Sequence, residues 1–172
     1  VRGITAWLQL DEELGIETLC FHVHGLKVKE RQGQRFRFMA FAEEDPHPLV
    51  SSMVKRLNAL PGKRLEVHVI KPGNFTAEVQ RLARSLWPDH GQAITATCFR
   101  HQWSADVKAR GDADAASRGL GQRSAKTRRY YGTAHQARDG HALHPVRVEA
   151  DLPVKLLQAQ PQPNTHVSAE MR

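Results

Sequence analysis

The sequence predicts an α+β fold, mainly helical, with a small antiparallel β-sheet near the N-terminus. Two observations carry this. Short runs of alternating or β-prone residues fall at Glu17–Val23 (ETLCFHV), Arg35–Phe41 (RFRFMAF) and Leu65–Ile70 (LEVHVI), as strands with one covered face require. Elsewhere apolar residues recur at three- and four-residue spacing, which places them on one face of a helix.

The elements follow in order. Val1–Leu10 reads as a short mixed segment. The first two β-prone runs are joined by HGLKVKERQGQ, whose charges and glycines, Gly25 and Gly33, suit a hairpin connection. Asp45-Pro46 can open a helix through Leu60, because Leu49, Val50, Met53, Val54, Leu57 and Leu60 recur at helical spacing. Pro61-Gly62 ends it. After the third run, Phe75–Trp87 predicts a helix with Phe75, Val79, Leu82, Ala83 and Leu86 aligned, stopped by Pro88. Thr95–Arg110 predicts another, broken by Gly111. Asp112–Leu120 predicts a short helix with an acidic first turn, which the helix dipole favours, ended by Gly121. Ser124 can cap a last short helix carrying Thr127 to Tyr131. Residues 1–133 form the predicted domain. Residues 134–172 are expected to be a largely irregular tail, polar and proline-spaced at its end. The chain opens on Val1 rather than Met, and a preceding segment is expected.

With 172 residues and 40% hydrophobic content, the chain can bury the core of one domain. No run reaches the roughly 18 to 20 apolar residues of a membrane helix, so a cytoplasmic location is expected and a membrane one is not. The net charge is +7, and the excess is uneven. Between residues 100 and 129, Arg100, Lys108, Arg110, Arg118, Arg123, Lys126, Arg128 and Arg129 are opposed only by Asp106, Asp112 and Asp114. Such a patch attracts a polyanion and makes binding salt-sensitive. Cys20 and Cys98, far apart in apolar surroundings, predict buried reduced thiols rather than a disulfide or zinc site. His22 and His24 share a strand face but lack carboxylate or thiolate neighbours, so no metal site is predicted. Trp87, Phe99 and Trp103 are expected in the core.

The order of residues from Cys98 to Gly132 points to chemistry on phosphate. Attack on a phosphodiester by tyrosine meets two obstacles: a phenol with a pKa of about 10 and a phosphate that repels nucleophiles. Such a site needs cations on the non-bridging oxygens and a proton donor for the leaving oxygen. Arginine suits the first need, since its planar fork matches two phosphate oxygens, and lysine suits the second. No metal is required.

The residues here carry a resemblance. Thr97-Cys98-Phe99-Arg100-His101 resembles the H-x-x-R-H box of tyrosine recombinases, the phage-integrase family. Leu120-Gly121-Gln122-Arg123-Ser124 resembles that family's L-G-H-x-S segment, and Tyr131 lies nine positions after Gln122, the family's usual distance to its nucleophile. The likeness covers about residues 17–133 and is strongest from Thr97 onward.

The resemblance implies a catalytic domain for site-specific DNA recombination or integration, working through a 3′-phosphotyrosyl intermediate without a metal or small-molecule cofactor. It implies Tyr131 as nucleophile, with Tyr130 packing inward, and Arg100 as phosphate clamp. Lys27 is implied as general acid, with Lys29 as competitor on the same hairpin. Gln122 and Thr97 would assist by hydrogen bonding, while Arg123, Lys126 and Arg128 would contact DNA. His101 is read as a structural neighbour of the site. The implied partners are double-stranded DNA and further copies of the chain in a tetramer, at the nucleoid of a bacterial or mobile-element host. The chain departs from the family at Thr97, where histidine is usual, and at Gln122, where histidine or tryptophan is usual. The family's first arginine has no counterpart in a matching pattern near Arg2, and it is expected upstream of Val1. The rival readings are a catalytically decayed DNA-binding module and a relaxing enzyme of the type IB topoisomerase kind.

Overall fold

Five antiparallel strands form one sheet in the computed structural model, which describes residues 3–25, 28, 33–68, 71–137 and 142–155. The strands are β1 (Gly3–Asp11), β2 (Ile16–His24), β3 (Phe36–Ala42), β4 (Arg64–His68) and β5 (Arg147–Ala150), in spatial order β4-β1-β2-β3-β5. Residues 3–11, which read as a mixed segment, are thus a strand paired on both sides. Its turn into β2 is held by Asp11, whose Oδ1 accepts the N–H groups of Glu13 and Leu14 at 3.1 Å each. Gly15 completes that turn at φ +67°, a conformation open to a residue without Cβ.

Alternation gives the sheet two faces. Ala6, Leu8, Leu19, Phe21, Met39 and Phe41 pack on one of them against Val50, Met53, Val54 and Leu57 of α1 (Pro48–Asn58). That helix starts where His47 caps it, its Nδ1 accepting the Leu49 N–H at 3.1 Å. The remaining helices are α2 (Pro72–Leu86), α3 (Ala96–Ala109), α4 (Ala113–Leu120) and α5 (Ala125–Arg128). The fold is therefore a mixture of helices and one antiparallel sheet.

Helix α4 lies against α3, β3 and β5. A second core forms there from Val107, Ala115, Ala116 and Val148, with Met39 and Trp103 packed against it. Gly119 permits this packing, because a Cβ at that position would run into the Trp103 ring. Asp112 caps α4, its Oδ1 accepting the Ala115 N–H at 2.6 Å, and Gly121 ends it at φ +74°.

Several sequence expectations are corrected. Within the stretch expected to be an irregular tail, residues 147–150 form β5 on the edge of β3. Trp103 is packed, but Trp87 and Phe99 are half-exposed, at 50% and 54%. Cys20 is buried, whereas Cys98 is exposed in the first turn of α3. Its Sγ accepts the Thr95 N–H at 3.4 Å, which holds the thiol at the helix entrance and draws its pKa down.

Candidate active site

Helix α3 carries His101, Ser104 and Lys108 at positions i, i+3 and i+7, hence on one stripe. That stripe faces the chain segment just after α5. The Lys108 ammonium donates to the carbonyls of Arg128 at 3.0 Å and Gly132 at 2.5 Å, and also to that of Tyr131. Ser104 Oγ donates to the Tyr131 carbonyl at 3.5 Å, and His101 Nδ1 accepts the Gly132 N–H at 3.1 Å. Gly132 lets the chain come this close, since a Cβ there would strike the His101 carbonyl and stand 3.1 Å from Ala105 Cβ. Burial, and then the neighbouring Arg128, pull the Lys108 pKa below its ordinary value.

These bonds fix Tyr131 beside the head of the same helix. Its ring lies 5.1 Å from the His101 ring, and the Arg100 guanidinium carbon sits 5.4 Å from its centroid. A cation at that range is attracted by the ring face. Tyr130 does not pack inward: it is 67% exposed. The helix carrying this segment is shorter than expected, ending at Arg128, so both tyrosines follow it.

The last turn of α4, with Gly121 just beyond it, forms the other wall. Arg100 Nη2 donates to the Leu120 carbonyl at 3.0 Å, and Arg37 Nη1, from β3, donates to the Gly119 carbonyl at 3.2 Å. Burial, and then Arg100, lower the Arg37 pKa to about 10. Gln122, just beyond the turn, is 8% exposed. Its main-chain N–H donates to the Ser117 carbonyl at 2.9 Å, but neither end of its side-chain amide has a partner among the described residues.

Lys27 and Lys29 lie outside the described residues. Thr97 is exposed one turn before Arg100. Lys126 is exposed on α5, while Arg123 is half-buried, its carbonyl accepting the Lys155 N–H at 2.8 Å. Arg128, expected to meet DNA, pairs with Asp114 at 2.8 Å. Arg100 makes no pair with Asp106, which accepts from Gln102 Nε2 at 2.8 Å.

Sequence reasoning missed Arg37 and Lys108. The signal for Arg37 was its place in the alternation of RFRFMAF, where it shares the covered face with Met39 and Phe41. A charge at an inward strand position calls for a local partner. For Lys108 the signal was its seven-residue spacing from His101 on one helix.

No protein-family model, curated protein or solved structure matches this chain. Among the described residues no helix is long and apolar enough to cross a membrane.

Proposed function

We propose that the chain is the catalytic domain of a tyrosine recombinase, breaking and rejoining DNA strands in site-specific recombination or integration. The observation that supports this reading best is the placement of the Arg100 guanidinium 5.4 Å from the Tyr131 ring, which sets a cation beside a tyrosine from a segment beyond α5. In the proposed reaction the Tyr131 hydroxyl oxygen bonds to phosphorus as the bond to the 5′ oxygen breaks. The phenolic proton leaves to water, and Lys27 protonates the departing alkoxide. Arg100 balances charge on the non-bridging oxygens, where preorganised donors contribute most. A strand's 5′ hydroxyl then reverses the step, so the phosphodiester energy is conserved. Thr97 and the unpartnered Gln122 amide would donate further hydrogen bonds, Gln122 after a local shift that uncovers it.

The proposal includes a mainly helical catalytic unit, assembly as a tetramer on two duplexes, and a nucleoid setting in the cytoplasm. A non-enzymatic DNA-binding module is the second reading, and the burial of Gln122 favours it.

Trapping on a nicked suicide duplex separates the two. A covalent protein–DNA adduct that disappears in Tyr131→Phe and persists in Tyr130→Phe is the expected result. An adduct that survives Tyr131→Phe would overturn the assignment, and DNA binding with no adduct across a library of sites would favour the second reading.

A further inference from the structure

Arg37 and Arg100 come from different elements, yet both donate to carbonyls of one turn, those of Gly119 and Leu120. Neither guanidinium pairs with a carboxylate among the described residues. Arg118, Arg128 and Arg147 behave otherwise, each held by an aspartate at 2.8 to 3.4 Å. Arg37 Nε is buried with no partner among the described residues, although a guanidinium carries five donor N–H groups.

Two like charges held at one partly buried helix end repel, and burial strengthens the repulsion. The fold nevertheless holds both. Gly121 makes the room: a Cβ there would stand 3.1 Å from Arg37 Nη1 and 3.2 Å from its Cδ. Beyond the turn lies the Gln122 amide, more than nine-tenths buried and unpartnered. Guanidinium donors left over once the two helix-end carbonyls are served, with no carboxylate partner among the described residues and an unpaired amide beside them, are together the attributes of an oxyanion site.

We infer that Arg37 is the second arginine of the phosphate site, gripping with Arg100 the non-bridging oxygens of one phosphoryl group above the Gly119–Gly121 turn. The identification of that group as a DNA phosphate rests on the function proposed above; the oxyanion site itself does not. Arg37 would thereby act from β3 beside Arg100, in addition to any first arginine that the resemblance implies upstream of Val1.

The test is a titration of the whole chain with inorganic phosphate at constant ionic strength, followed by NMR of the arginine Nε–Hε groups. The Arg37 and Arg100 signals should move together on one saturation curve. Arg37→Gln should weaken the phosphate affinity read at Arg100 by about tenfold or more, the loss of a charge-assisted bond. Because Arg37 also supports the turn, Arg37→Lys serves as a second variant, which keeps the charge but loses the fork and should bind phosphate with intermediate affinity. Circular dichroism confirms that each variant is folded. If only the Arg100 signal responds, or if folded Arg37→Gln binds phosphate as tightly as the parent, the inference fails while the proposed function stands. If neither signal responds, both fail. If both respond but no suicide duplex yields an adduct, the oxyanion site holds and the strand-transfer chemistry falls.

Discussion

The two halves of this molecule are held together in different ways. Between the sheet and α1, large apolar side chains are buried against one another: Leu19, Phe41, Val50 and Leu57. Between α3, α4, α5 and β5 the buried residues are small, chiefly alanine, and the joints are cations donating to main-chain carbonyls. Arg37 binds Gly119, Arg100 binds Leu120, Arg118 Nε binds Val148 at 2.8 Å, and Lys108 binds the Arg128–Gly132 segment. Apolar burial is non-directional and spends the whole side chain on stability. A guanidinium bound to a carbonyl through one N–H keeps other donors in hand, whereas the Lys108 ammonium uses all three of its own on carbonyls. The second half is thus joined by directional bonds to main-chain oxygens rather than by apolar bulk.

The largest expected effect belongs to the apolar half. Leu57 is fully buried, and Leu57→Ala should cost about 2 to 5 kcal/mol in urea unfolding, with phosphate affinity at the site preserved in the folded fraction. A cost below about 1 kcal/mol would mean that α1 is not a keystone of this core.

Next comes Lys108→Met, which keeps the aliphatic stem and removes the donor to the carbonyls around Tyr131. Stability should fall by about 1 to 3 kcal/mol, the cost of charged hydrogen bonds lost with their acceptors still partly buried. Adduct formation on the suicide duplex should fall more than phosphate affinity does, because the tyrosine loses its position while the arginines keep theirs. Equal losses in both would show that the two walls of the site do not act separately.

The smallest effect distinguishes two cations of α5. Lys126→Ala should reduce the slope of log affinity for duplex DNA against log salt by about 0.9, the release of one phosphate's counterion. Arg128→Ala should leave that slope unchanged, since Arg128 is already neutralised by Asp114, and should cost under about 1 kcal/mol of stability as a partly exposed ion pair. A change of slope in Arg128→Ala would return that residue to the DNA-contacting surface.

Much of the local structure could be read before the fold was seen. The strands β2 and β3, the helices α1, α3 and α4, the left-handed Gly121 and the Ser124 cap all follow from period, capping chemistry and turn residues. Strand β1 was obscured because Trp7 occupies an outward position and breaks the polar half of the alternation. Strand β5 is four residues long and exists through its pairing with β3, more than a hundred residues earlier, which no local pattern encodes. At the site, the spacing of Arg100 and Tyr131 led to two groups that the structure brings together. The roles of Arg37 and Lys108 escaped because their partners are carbonyl oxygens, which every residue possesses and no side-chain motif marks. The exposure of Phe99 and Cys98 escaped for a related reason: both sit in the first turn of α3, ahead of the Ser104–Val107 stretch that is buried.

The pairing of β5 has a consequence for handling the protein. The Val146 N–H donates to the Ala40 carbonyl at 2.8 Å, and the Ala125 N–H to that of Lys155 at 3.0 Å, so the chain after Tyr131 returns to stitch both β3 and α5. A chain cut just after Gly132 would keep every residue of the recombinase-like motif and still lose this seam. The outer edge of β3, RFRFMAF, would then present unsatisfied main-chain groups beside aromatic side chains, a template onto which other copies can add strand by strand. Insolubility in such a shortened chain would report a bared sheet edge rather than damage to the tyrosine's own pocket.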